Sequence, residues 1–193
     1  MIRRYTEADY AAIGEICVLT GNAGGDATGV HASDDLVPDI FARPYVTFEP
    51  ELAFVVDDGS VGGYIIATAD TSAFVERYRA EWLPHFAAAH PDDSGMAHLG
   101  YTPERMLIPE LADYPAHLHI DLLPRLQGAG WGRRLVDTLV AELGGRGIRG
   151  LHLGLDPSNT GARAFYDRLG FHELPSSTPD SPVLGIRLPT SLP

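Results

Sequence analysis

The chain contains no lysine: all 14 of its basic residues are arginine. Without lysine it can form no Schiff base with a carbonyl compound. It also lacks the G-K-[ST] with which a P-loop holds nucleotide phosphates. Cysteine is almost absent too. Cys17 stands alone, which excludes an internal disulfide and any C-x-x-C metal or redox site. At an apolar helix position it reads as buried packing. The eight histidines include no H-E-x-x-H and no i, i+4 pair, so no metal is expected. No run reaches the roughly 18 apolar residues of a membrane helix, and the opening Met-Ile-Arg-Arg-Tyr-Thr-Glu is no signal core. The expectation is a soluble, cytoplasmic protein without a membrane partner.

What is present is acid. Twenty-six acidic side chains give a net charge of −12. That opposes broad binding to nucleic acid or anionic lipid and favours cationic or amine-bearing partners. An apolar fraction of 45% in 193 residues suffices for one core, so residues 1–193 are expected to form a single domain.

Hydrophobic periodicity orders the chain. Ile2–Tyr5 is β-compatible. Thr6 and Asp9 begin a helix carrying Tyr10, Ile13, Cys17 and Thr20, which Gly21 ends. A glycine-rich loop follows, then a short helix from Ser33 to Ala42 with Pro44 beyond it. Leu52–Val56 and Val61–Thr68 read as a hairpin about Asp58-Gly59. Thr71 caps a helix with Phe74, Tyr78 and Trp82, which Pro84 kinks or ends. Residues 91–115 read as a long ordered loop. Then come a strand at 118–123, a helix carrying Leu135, Leu139 and Leu143, a strand at 151–155, a helix at 160–169 and two closing strands, 171–174 and 183–188. This pattern predicts an α/β or α+β sheet of about seven strands in mixed directions, flanked by helices.

The most informative stretch is Gln127-Gly128-Ala129-Gly130-Trp131-Gly132, between strand and helix. Such a turn can present free helix N–H groups to an anion. It can equally be a tight turn and nothing more. A dinucleotide fingerprint fails, because Arg133 stands where its third glycine is required.

Leu122-Leu123-Pro124-Arg125-Leu126-Gln127-Gly128-Ala129-Gly130-Trp131-Gly132 resembles the V-x-P-x-x-[RQ]-x-x-G-x-[GA] segment of the GCN5-related N-acetyltransferases (GNAT). Asn159 and the run from Ala162 to Phe171 resemble the N-x-x-A-x-x-F-Y-x-x-x-G-F segment of the same superfamily. The two motifs stand in the family's order. Three further segments, TGNAGGDATG, PYVTFEPELAFVVDD and HLHIDLLP, resemble a bacterial branch related to the acetyltransferase-like C-terminal domain of O-GlcNAcase. That domain is regarded as catalytically degenerate, so a regulatory acetyl-CoA-binding module without turnover stands as the alternative to an enzyme.

The resemblance implies acetyl-CoA as co-substrate, an unknown amine as acceptor, and a monomer or homodimer. It implies a sheet that splays between its fourth and fifth strands, with the pantetheine arm pairing to the backbone of Leu122 and Leu123. The N–H groups from Gly128 through Ala129, Gly130 and Trp131 to Gly132 would meet the pyrophosphate, with Gln127 beside them. Arg133 or Arg134 would add charge, the other being a solvated helix face. Asn159 would contact the pantetheine, cap its own helix, or both. Tyr166 would protonate the departing thiolate; its alternative is core packing.

A base is less defined. His117, His119 and Asp121 share one face of their strand, and Leu118, Ile120 and Leu122 the other. His119 and Asp121 read as a base with its orienting partner, a substrate clamp, or a buried pair fixing the strand. Proton removal through water is a further option. Asp26 reads as an amine ligand or a turn cap.

Overall fold

The computed structural model describes residues 1–189. Its centre is one seven-stranded sheet, ordered β1-β2-β3-β4-β5-β7-β6. The strands are β1 (Ile2–Arg4), β2 (Phe54–Asp57), β3 (Val61–Thr68), β4 (Ala116–Leu122), β5 (Gly150–Gly154), β6 (His172–Glu173) and β7 (Val183–Arg187). Every neighbouring pair is antiparallel except β4 and β5, which run parallel. The mixed α/β sheet expected from the periodicity is therefore present.

Alternation along the strands builds two cores. On one face Ile65, Leu118, Leu151 and Leu184 meet Leu135, Leu139 and Leu143 of α7 (Trp131–Gly145) and Tyr166 of α8 (Thr160–Arg168). On the other, Tyr64 and Ile66 meet Ile13 and Cys17 of α1 (Tyr10–Thr20), Tyr45 of α3 (Arg43–Phe48), and Phe74 of α4 (Thr71–Arg77). Leu139 is fully buried, and truncating such a leucine to alanine costs about 2–5 kcal/mol.

Four local expectations change. Asp70, not Thr71, caps α4, its side chain accepting from the Ser72 and Ala73 N–H groups. Pro44 does not merely follow a helix. It lies in the first turn of α3, directly after α2 (Leu36–Phe41), where a missing N–H costs nothing. Pro84 does not end its helix either. A π-turn at Tyr78–Trp82 joins α4 to α5 (Leu83–Ala89), with Pro84 in the first turn of α5. Trp82 anchors that turn by donating its indole N–H to the Asp39 carbonyl, 2.9 Å. Residues 91–115 are more regular than a loop, holding α6 (His98–Tyr101) and three 3-10 turns. Among the described residues no helix is long and apolar enough to cross a membrane.

Candidate active site

The glycine turn joins β4 to α7. Gly128 and Gly130 have φ of 72° and 81°, the left-handed region in which side chains with a Cβ are strained. Gly130 is the N-cap of α7. Gly132 allows a close approach: a Cβ there would stand 3.1 Å from the Phe165 ring, which would have to give way. The turn therefore brings the first N–H groups of a 15-residue helix to the end of β4, close against α8.

Beside it the sheet opens. β4 and β5 pair only at Ala116–Leu151 and His117–His152. Beyond these, Leu123 donates its N–H to the Gly62 carbonyl, 2.9 Å, on the β3 side. By the alternation of an antiparallel ladder, the backbone groups of Ile120 and Leu122 point the opposite way, into the gap. The Gln127 side-chain amide donates to the Leu122 carbonyl, 2.8 Å. Of the two backbone positions expected to meet pantetheine, Leu122 thus faces the gap, while the Leu123 N–H is already engaged by Gly62.

A cavity of about 680 Å³ occupies the gap. Its lining includes Leu122, Gln127, Gly128, Gly130, Gly132 and Arg133 from the turn, Asn159, Phe165 and Tyr166 from the α8 side, and Asp121 from β4. Ala129, Trp131, Leu123 and His119 are not part of it. Asn159 accepts a hydrogen bond from the Ala162 N–H, 3.0 Å, so it caps α8 and lines the cavity at once. Arg133 lines the cavity and donates to the Arg168 carbonyl, 3.0 Å. The guanidinium of Arg134 lies over the Trp131 ring at 4.2 Å. Asp26 caps its own turn, accepting from the Thr28 N–H at 2.8 Å, and is exposed.

Tyr166 and Asp121 meet across this cavity. Tyr166 is 6% exposed. Burial, with the Asp121 charge adding to it, pushes its hydroxyl well above the usual phenol range, so the phenol keeps its proton at neutral pH. Burial likewise pushes the Asp121 carboxyl up, and the Tyr64 hydroxyl, which donates to that carboxylate, partly offsets it. Tyr64 and Asp121 are register partners on β3 and β4.

His119 does not pair with Asp121. It belongs to a separate chain of hydrogen bonds whose directions are fixed by its far end. The Thr71 hydroxyl donates to the Pro115 carbonyl, 2.7 Å, and so accepts from His117 Nδ1, 2.8 Å. His117 Nε2 is then an acceptor, for the Tyr45 hydroxyl at 2.6 Å. The Tyr45 oxygen in turn accepts from His119 Nε2, 3.1 Å. His119 Nε2 thus carries a proton, and in the neutral ring its Nδ1 carries the lone pair. Burial, and then the nearby Arg105 charge, press its pKa down to about 3.

Sequence reasoning missed Thr20, Ala23 and Gly24, which bring the loop after α1 to the cavity, and Arg168 at the end of α8. The glycines of that loop signalled irregular backbone but not where it lands. Among the described residues no group of three or more His, Cys, Asp or Glu could hold a metal ion.

An open parallel pair and a glycine turn feeding a helix thus stand beside a buried, protonated phenol. The chain belongs to the Acetyltransferase (GNAT) family, whose model matches residues 32–171. Acetyl-CoA is the co-substrate of that family. The crystal structure of SsHAT is 46% identical, with a TM-score of 0.90 over 97% of each chain. The [Ribosomal protein bS18]-alanine N-acetyltransferase of Haemophilus influenzae is 38% identical over 56 residues, 29% of this chain and 38% of that protein. This chain therefore matches well under two thirds of that relative's length. At the level of fold it also resembles yncA from Salmonella typhimurium, solved with its cofactor acetyl-CoA: 17% identity, TM-score 0.59, covering 97% of this chain and 93% of that one.

Proposed function

We propose that this protein transfers an acetyl group from acetyl-CoA to an amine by direct attack in a ternary complex. The observation carrying this reading is that Tyr166 and Asp121 line one cavity together with the glycine turn, at the splay. In the reaction the amine nitrogen bonds to the thioester carbonyl carbon and the C–S bond breaks. Tyr166 gives its proton to the departing sulfur, and the nitrogen's proton passes to Asp121, directly or through water. The Leu122 N–H is the donor suited to the carbonyl oxygen as it becomes negative.

The turn from Gly128 to Gly132, with Gln127 and Arg133, suits the pyrophosphate. Arg133, Arg134 and Arg168 have no carboxylate partner among the described residues, in a chain where most arginines have one. That leaves them available to phosphate. Asn159 suits the pantetheine amides. A single buried thiol, Cys17, and the acidic charge fit a cytoplasmic setting, with no nucleic acid or membrane as partner. The protein acts as a monomer or homodimer built on one domain spanning residues 1–193.

Calorimetry with acetyl-CoA tests the cradle. Gly130→Glu places a carboxylate on the turn and is expected to abolish binding; equal affinity in the variant and the wild type would remove the site. Release of CoA thiol across a panel of amines tests the chemistry. Binding without release would make the protein a regulatory acetyl-CoA sensor.

A further inference from the structure

Arg105 has no part in the machinery just described. Its guanidinium forms no ion pair with any described carboxylate, although the chain has 26 acids and pairs most of its other arginines. It is nevertheless held in place. Its Nε donates to the Leu99 carbonyl at 2.9 Å, and its guanidinium carbon lies 5.2 Å from the centroid of the Phe41 ring. An aromatic seat of this kind orients a cation without neutralising it. The terminal NH₂ groups remain, and their planar fork matches a carboxylate.

Arg105 stands at one end of a row of side chains that leads to β4. Phe41 meets His119 edge-on, 5.7 Å between ring centroids. His119 and Asp121 stand two residues apart on one face of β4. That strand passes from fully buried at Ala116–Leu118 to half-buried at His119–Leu122, so the row is open to solvent where the cavity begins. Its two ends carry opposite charges. The imidazole between them donates its Nε2–H to Tyr45 and, buried with its pKa pressed down to about 3, is uncharged at neutral pH, which leaves Arg105 as the cation at the far end. The path along these side chains amounts to roughly 18 Å, taking about 3.3 Å of rise per strand residue.

We infer that Arg105 is an anion subsite of the acceptor pocket, and that the acceptor is an amine bearing a carboxylate on a short linker. The carboxylate docks on the Arg105 fork against Phe41, and the amine is directed along β4 towards Asp121 and Tyr166. His119 Nδ1 accepts a hydrogen bond from the linker. This inference rests on the acceptor reading above, and its test keeps the two separate.

The test compares ω-amino acids of three to eight carbons with n-alkylamines of the same lengths, scored by release of CoA thiol. The wild type is expected to favour the amino acid at least tenfold in kcat/KM at one or more lengths, mainly through KM. Arg105→Gln should erase that preference while leaving alkylamine kinetics unchanged, and Arg105→Lys should keep part of it. No preference in the wild type, or a preference that survives Arg105→Gln, overturns the subsite. If no amine is acetylated, the transfer reading fails on its own account. Calorimetry of the same pairs on CoA-loaded protein then decides: tighter binding of the amino acid, lost in Arg105→Gln, supports the subsite, and equal binding refutes it.

Discussion

The two ends of β4 have the same alternation and opposite fates. At its first residues the strand is paired on both sides, to β3 and to β5. Its polar side chain there, His117, is 5% exposed and closed into a chain that ends on a backbone carbonyl. At its last residues the β5 side is open, and Asp121 faces a cavity opposite Tyr166. One strand therefore carries two kinds of polar residue. Where every donor and acceptor is matched, the group sets geometry. Where a ladder is left incomplete, the group is available for chemistry.

The largest effect should come from the open end. Tyr166→Phe removes only the hydroxyl, and turnover is expected to fall about 10²–10⁴-fold, the usual worth of a positioned acid. Acetyl-CoA affinity by calorimetry should be unchanged; an unchanged turnover would return Tyr166 to the core. Asp121→Asn comes next. The amide retains a partner for the Tyr64 hydroxyl, so kcat/KM should drop about 10²-fold with no fall in melting temperature. A lower melting temperature with intact turnover would mean that Asp121 belongs with the closed end.

The closed end should give the converse. His117→Ala leaves the Tyr45 hydroxyl without its acceptor, while Thr71 keeps the Pro115 carbonyl, at a cost of about 1–3 kcal/mol for the unsatisfied donor. Chemical denaturation should register this, while KM for acetyl-CoA stays fixed.

A pH series sharpens the contrast further. The His119 pKa is about 3 in the folded protein and roughly 6.5 in an unfolded chain. Between those values the unfolded state binds the extra proton, so this residue makes stability rise with pH from about 3 to 6.5. Asp121, raised by burial, acts in the opposite sense above its unfolded pKa. Asp9, held down to about 2 chiefly by its hydrogen bond with Arg3, loses its contribution only below the ordinary carboxylate range. The measurement is therefore the difference between the wild type and His119→Gln, whose denaturation midpoint should be flatter over that interval. The smallest effect is expected at Asp26. Asp26→Asn keeps the turn cap and should change stability by less than about 0.5 kcal/mol, with turnover unaltered; a clear loss of turnover would give the loop a catalytic part.

Much of this contrast was legible locally. The three glycines, the cap at Asn159, and the segregation of His117, His119 and Asp121 from Leu118, Ile120 and Leu122 follow from spacing within a few residues. Which of those polar residues is closed off was not legible. That depends on Tyr45, 72 positions from His117, and on Thr71, 46 positions from it. The pairing of Asp121 with Tyr64 rather than His119 likewise follows from strand register. Pro84 left open whether its helix kinks or ends, and the π-turn through which the helix goes on carries Trp82, which reaches Asp39, 43 positions away. The arrival of Thr20 and Gly24 at the cavity depends on how α1 packs, a relation no short window contains.

The short β4–β5 pairing also bears on solubility. Exposed strand edges recruit strands from other molecules and are a route to aggregation. Here such an edge, Ile120–Leu122, lies in the interior of a sheet. It is roofed by α7 and α8, with Phe165 and Leu122 both close against Gly132. A thin, unbranched chain such as a pantetheine arm can lie along it, whereas a polypeptide strand, with side chains on both faces, meets the roof. The opening proposed for the co-substrate is thus closed to a polypeptide strand.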